Sequence, residues 1–124
     1  MRHRLRVLIA DDHPGLVRAV SRLLAMHYDV VGSVAGGSGL LEAAQHLRPD
    51  VIVLDVNLPD ADGLTACRQI TQDNPEMKVI VFTAVDDPEV RQRAFEAGAA
   101  AFVNKLGLVD NLLSAVKSLD DNRA

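Results

Sequence analysis

Val51-Ile52-Val53-Leu54-Asp55 and Val79-Ile80-Val81-Phe82-Thr83 decide the fold of this chain. Each opens with an uncharged run without alternation and then turns polar. Runs of this kind belong to strands covered by helices on both faces, and so to the centre of a parallel sheet. Outward from them the apolar spacing alternates between strand-like runs and helical stripes. Leu5 to Ala10 reads as a first strand, followed by Leu16, Val17, Val20, Leu23 and Leu24 at helical spacing up to about His27. Tyr28 to Val34 reads as a second strand, and Leu40, Leu41, Ala44 and Leu47 as one stripe of a helix that stops before Pro49. After the third strand, Leu64, Cys67 and Ile70 share a helical face; after the fourth, Val90, Ala94 and Ala97 do so. A weaker fifth strand covers about Ala100 to Val103, and Leu108, Val109, Leu112, Leu113, Val116 and Leu119 form the last stripe.

Five strand–helix units imply parallel pairing, because parallel neighbours need crossover connections. A barrel would need more strands. The expectation is an α/β, doubly wound five-stranded parallel sheet with strand order 2-1-3-4-5. Residues 1–119 form one domain in this reading, and 120–124 a polar tail or the start of a linker.

Composition agrees with a single compact domain: 124 residues, 48% hydrophobic, 24% charged, with a formal charge of −4. That balance fits neither a disordered polyanion nor a general nucleic-acid binder. One cysteine, Cys67, cannot form an internal disulfide, and it reads as a small packing residue. No apolar run approaches membrane-spanning length, and Met1-Arg-His-Arg lacks the apolar stretch of a secretory signal, so a cytoplasmic location is expected.

Open doubly wound sheets bind ligands beyond the carboxyl ends of their strands, where the strand order reverses. Those positions hold Asp11 and Asp12, Asp55, Thr83 and, two residues past the fifth strand, Lys105. Asp12 and Asp55 are expected to face each other between strands one and three. Crowded carboxylates raise one another's pKa unless a positive charge sits among them. A divalent cation and Lys105 are the available remedies, and an all-oxygen donor set suits Mg²⁺ or Mn²⁺ rather than Zn²⁺. A carboxylate can also attack phosphorus, and the resulting aspartyl phosphate needs a metal, a cation and hydrogen-bond donors around it. Asp55 is the best placed nucleophile, with Thr83 as donor and Lys105 as counter-charge.

Plainer roles exist for each residue. Asp11 or Asp12 can cap the first helix ahead of Pro14, Thr83 can be a strand-end hydroxyl, and Lys105 a solvated lysine. Asp86-Asp87-Pro88-Glu89 reads as a helix start. Other motifs fail on spacing. Gly32-x₄-Gly37 is followed by Ser38 where a phosphate loop needs Lys, and Gly37-Ser38-Gly39 runs on to Glu42 without the third glycine of a dinucleotide fingerprint. His3, His13, His27 and His46 lack paired zinc-ligand spacing and read as surface or capping residues. No Gly-x-Ser-x-Gly elbow is present.

Taken together, Val7-Leu-Ile-Ala-Asp11-Asp12-His13-Pro14, Val51 through Pro59 with Asp62-Gly63, Val81-Phe82-Thr83-Ala84, and Ala97-Gly98-Ala99 leading to Phe102-Val103-Asn104-Lys105 resemble the receiver domain of two-component response regulators. That is the chemotaxis-regulator-like, flavodoxin-like (βα)5 fold, and the match runs from Arg6 to about Leu119. The opening Asp-Asp-His-Pro looks most like regulators joined to a C-terminal helix-turn-helix DNA-binding domain.

The resemblance implies that Asp55 accepts a phosphoryl group from a sensor histidine kinase. It further implies Mg²⁺ held by Asp12, Asp55 and the backbone carbonyl of Asn57, with Asp11 acting through water. Thr83 and Lys105 then bind phosphoryl oxygens, and Thr83 and Phe102 form the switch pair that changes the surface of helix four, strand five and helix five. Phe102 is equally an ordinary core phenylalanine. Also implied are dimerisation on phosphorylation, contact with DNA through an output domain, control of transcription, and no catalysis beyond self-phosphorylation and self-dephosphorylation. Asn57 and Val85 occupy positions that tune hydrolysis by resemblance, and Leu106 stands where many such domains have proline. Two alternatives from other classes are a Mg²⁺-dependent phosphohydrolase, which would want Asp rather than Asn57, and a phosphorylation-independent interaction module of the same shape.

Overall fold

The structure, a computed structural model, describes residues 3–85, 87–107 and 109–123. In chain order its elements are β1 (Arg6–Ala10), α1 (Pro14–Ala25), β2 (Asp29–Val34), α2 (Gly37–Leu47), β3 (Val51–Leu54), β4 (Asn57–Leu58), β5 (Ala61–Asp62), α3 (Gly63–Asp73), β6 (Lys78–Thr83), α4 (Pro88–Glu96), β7 (Ala101–Asn104) and α5 (Val109–Asp121). Five strands form one parallel sheet in the order β2-β1-β3-β6-β7, which is the expected 2-1-3-4-5 once the added hairpin β4–β5 is set aside.

Alternation along each buried strand divides the core in two. Leu8, Ala10, Ile52, Leu54, Val79 and Val81 pack on one face with Leu40 of α2, Cys67 and Ile70 of α3 and Ala94 of α4. Val7, Ile9, Val51, Val53, Ile80 and Phe82 pack on the other with Val20 and Leu24 of α1 and Leu112 and Val116 of α5. Because successive strand side chains point to opposite faces, a continuous apolar run serves both layers. Cys67 is buried, as expected of a packing residue, and burial pushes its thiol pKa up to about 11.

Several boundaries differ from the sequence reading. Helix α1 begins at Pro14 and ends at Ala25, two residues short of His27. Helix α2 starts at Gly37, well before its apolar stripe, and ends on Arg48 in the left-handed conformation (φ 47°) ahead of Pro49. Strand β6 extends to include Thr83, and β7 runs through Asn104, so Lys105 follows the strand directly instead of two residues on. Helix α5 continues past Leu119 to Asp121. The hairpin β4–β5 was not foreseen, since two-residue strands are too short for any periodicity. Asp87 caps α4, its carboxylate accepting from the Glu89 amide at 2.8 Å; Asp86, Leu108, Met1 and Arg2 lie outside the described residues.

The loop after β3 is packed against its own backbone at Gly63. A Cβ there would come within 2.6 Å of the Val56 Cα and 2.9 Å of the Asp55 carbonyl oxygen. Gly63→Ala is therefore expected to lose roughly 1–3 kcal/mol of folding stability through overpacking. Urea denaturation followed by circular dichroism checks this, and an unchanged midpoint would show that the loop can shift to admit the methyl group.

Candidate phosphoacceptor site

The parallel register levels the strand ends, and three hydrogen bonds extend it by one residue. The Asp11 amide donates to the Val34 carbonyl at the end of β2 (3.0 Å), the Asp55 amide to the Ala10 carbonyl at the end of β1 (2.9 Å), and the Lys105 amide to the Thr83 carbonyl at the end of β6 (2.9 Å). Each residue is thus the first after its strand and is pinned to the last residue of a neighbour. Their side chains meet above the sheet. Lys105 Nζ lies 2.5 Å from Asp11 Oδ2 and 2.7 Å from Asp55 Oδ2, with all three side chains less than one-tenth exposed. Asp12, about one-third exposed, completes the acidic group from the solvent side.

The remaining carboxylate oxygens are also engaged. Asp55 Oδ1 accepts from the Asn57 amide at 3.0 Å, so the hairpin starts on the Asp55 carboxylate. Asp11 Oδ1 accepts from the His13 amide at 3.0 Å, and the His13 Nδ1 lies 2.8 Å from it and 3.2 Å from Asp12 Oδ1. Neither aspartate is the N-cap of α1: that position is His13, which makes no side-chain cap bond. The expectation of a capping or surface His13 is met in position, yet the imidazole also joins the acidic cluster, which the zinc-spacing test could not detect. Its neighbours Asp11-Asp12 were the available signal.

Burial alone would raise the Asp11 pKa, but hydrogen bonds from Lys105 and then His13 outweigh it and hold the carboxyl below its ordinary 3.8. Burial alone would lower the Lys105 pKa, and its contacts with Asp11 and Asp55 raise it instead above 10.5. Asp11 therefore adds stability above pH 3.8 that is lost as the pH falls through its folded value. Lys105 adds stability below pH 10.5 that is lost as the pH rises through its own.

One ammonium against three carboxylates leaves the pocket negative. Single oxygens of Asp11, Asp12 and Asp55 and a ring nitrogen of His13 fall within 4.8 Å of one another. Hard carboxylate oxygens gathered at the strand ends fit a cation that takes one or two carboxylates and keeps several waters. The donor chemistry fits Mg²⁺ or Mn²⁺.

Thr83 is fully buried, and its hydroxyl oxygen accepts from the Val85 amide at 3.3 Å. Its link to Lys105 is through backbone. Phe102 stands apart from the acidic pocket: it pairs with Val81 in the sheet, is half-buried, and carries the Arg91 guanidinium 5.5 Å over its ring. Arg91 also lies 5.9 Å over Phe95, so it sits between two aromatic rings. No sequence motif flagged Arg91. Leu106, after the lysine, is exposed, and the described chain contains no cis peptide bond.

Comparison with known proteins agrees with this geometry. Residues 7–117 match the response regulator receiver domain family, and the chain belongs to that family. It is 32% identical over 117 residues to the response regulator GacA of Pseudomonas aeruginosa, a match that covers 93% of this chain and 55% of GacA. The transcriptional regulatory protein DegU of Brevibacillus brevis is also 32% identical over 117 residues, covering 93% of this chain and 50% of DegU. The chain thus spans about half the length of these relatives. Among solved structures, the BeF3-activated DrrB receiver domain superposes with a TM-score of 0.88 at 32% identity, covering 97% of this chain and all of that one. This chain is a receiver domain of the two-component response regulator type. Among the described residues, no helix is long and apolar enough to cross a membrane.

Lys105→Met removes the one ammonium shared by two buried carboxylates. Losing one partner of such a group is expected to cost roughly 3 kcal/mol at neutral pH. Millimolar Mg²⁺ should restore part of the loss, because a cation that binds the folded state stabilises it by mass action. Guanidinium denaturation with and without Mg²⁺ checks both, and equal stability of variant and wild type would show that Lys105 does not hold the cluster together.

Proposed function

We propose that Asp55 is the phosphoacceptor of this domain and takes its phosphoryl group from the phosphohistidine of a sensor histidine kinase. The observation that carries the reading is Lys105 bridging Asp11 and Asp55 at the level ends of the central strands, beside the exposed Asp12. In the transfer, an Asp55 carboxylate oxygen forms a bond to phosphorus as the phosphorus–nitrogen bond of the donor breaks. The imidazole leaves with the electron pair, and Asp55 becomes an acyl phosphate. The Asn57 amide orients the attacking carboxylate, and Lys105 offers its ammonium to the phosphoryl oxygens. Asp12, Asp55 and the Asn57 carbonyl would hold Mg²⁺, or Mn²⁺ in its place, with Asp11 acting through water; the bound cation supplies positive charge against the three phosphoryl oxygens. Beyond this self-phosphorylation and self-dephosphorylation the domain turns over no substrate.

Thr83 and Phe102 form the switch. With Thr83 buried and Phe102 half-buried under Arg91, a phosphoryl group that gains a hydrogen bond from the Thr83 hydroxyl biases the β6–β7 end toward a second arrangement. The surface that changes is α4, β7 and α5. The relatives are about twice its length and are named as response and transcriptional regulators; in this reading the receiver dimerises on phosphorylation. It controls transcription in the cytoplasm through a C-terminal helix-turn-helix output domain, which alone touches DNA. The receiver runs to the end of α5 at Asp121 rather than stopping at 119, and the output domain would follow it.

Intact-mass spectrometry after incubation with acetyl phosphate and Mg²⁺ tests the chemistry. A single phosphoryl adduct is expected in wild type and is absent from Asp55→Asn and from a sample with EDTA. No adduct, with a cognate kinase also failing to label the folded domain, would make it a phosphorylation-independent interaction module.

A further inference from the structure

Helix α2 begins on glycine, with Gly36 as its N-cap residue and Gly37 as its first turn, so it has no side-chain cap of its own. Its opening amides are taken instead by Asp60, from the turn of the β4–β5 hairpin. Asp60 Oδ1 accepts from the Gly37 amide at 2.6 Å, and Oδ2 accepts from the Ser38 amide at 3.3 Å and the Ser38 hydroxyl at 2.8 Å. The Ser38 hydroxyl, then the two amides, hold the Asp60 carboxyl below its ordinary pKa, as an anion at a helix N-terminus should be.

The junction is steric as well as electrostatic. A Cβ on Gly36 would lie 2.7 Å from Asp60 Oδ1, and one on Gly37 would lie 2.2 Å from the Ala61 Cβ. These two glycines, which match no nucleotide-binding motif, are what lets the hairpin sit against the helix. At its other end the hairpin opens on Asn57, whose amide donates to Asp55, and it closes by pairing Asn57 with Asp62 and Leu58 with Ala61. A path of a few residues therefore runs from the start of α2, through Asp60 and the paired strands, to the amide that orients the Asp55 carboxylate.

We propose that Asp60 is a positioning residue for the phosphoacceptor site: by fastening the β4–β5 hairpin to α2 it fixes the Asn57 backbone, and with it the amide that donates to Asp55 and the carbonyl that would hold the cation. The proposal rests on the reading of the site given above. A helix cap that merely stabilised α2 would leave that backbone where it is.

Asp60→Ala removes the fastening from the hairpin side, and Gly37→Ala forces the same junction apart from the helix side while keeping the carboxylate. Both are compared with wild type by calorimetric titration with Mg²⁺, by the NMR shift of the Asn57 amide and by melting temperature. Each variant is expected to bind Mg²⁺ about tenfold more weakly, the scale seen when an outer partner of a metal ligand is lost, and to displace the Asn57 resonance. Asp60→Asn, which keeps one acceptor oxygen for the Gly37 amide, should recover part of both effects, and it serves if the glycine variant does not fold. Unchanged Mg²⁺ affinity and an unmoved Asn57 amide in Asp60→Ala, with only the melting temperature lowered, would overturn the proposal and leave a helix cap. A wild-type domain that fails to bind Mg²⁺, while Asp60→Ala still moves the Asn57 amide, would overturn the metal reading and support the positional link.

Discussion

The Lys105 ammonium between Asp11 and Asp55 is the interaction on which the arrangement of the site depends. Two carboxylates at the ends of adjacent central strands cannot both be buried and ionised without a counter-charge. Lys105 supplies it from the far side of β6, and its backbone amide is tied to the last carbonyl of that strand. The pair of contacts spans the sheet from β1 to β7. Because the ammonium answers only part of the negative charge, the pocket stays attractive to a second cation, and Asp12 is left facing solvent to receive it.

Levelling of the strand ends makes this possible. In a parallel sheet each strand begins again at the same edge, so residues far apart in the chain arrive at the same height. Ala10 pairs with Leu54, Leu54 with Val81, and Thr83 with Asn104, and the next residue along three of these strands is Asp11, Asp55 or Lys105. The buried faces hold that register, since a slip by one residue would send every apolar side chain of β1, β3 or β6 to the wrong layer. The glycines carry the second half of the design. Gly63 lets the chain return beneath Asp55, and Gly36 and Gly37 admit the hairpin, so the loop after β3 is braced on both sides.

Further along the same edge, the β6–β7 end is built differently. Thr83 is buried with its hydroxyl oxygen accepting from Val85, while Phe102 is half-buried with a guanidinium over its ring. The acidic pocket is rigidly cross-linked by ion pairs. At the aromatic end a cation–π contact from Arg91 adds to the packing of Phe102 on the core and the pairing of β7 with β6.

Much of this was legible in the chain alone. Continuous runs such as Val51–Leu54 have one good explanation, a strand buried on both faces, and the polar residue after each run then falls at the edge where such sheets bind ligands. Asp11, Asp12, Asp55 and Lys105 follow from that rule, because position along a strand is local information. What the chain did not disclose is contact between elements. The hairpin β4–β5 is too short to leave a period, the Asp60 cap reaches α2 across 22 residues of sequence from Ser38, and Arg91 meets Phe102 through the packing of α4 on β7. His13 was read by ligand spacing along the sequence, whereas its place in the cluster comes from the turn that folds it over Asp11. The amino-acid pattern by itself determined which residues lie at the strand ends, since each uncharged run stops where its strand leaves the two-sided core and the next residue is polar. Which of them touch, which oxygen each amide takes, and which glycines must stay bare were decided only by tertiary packing, where the approach of separate segments sets the distances.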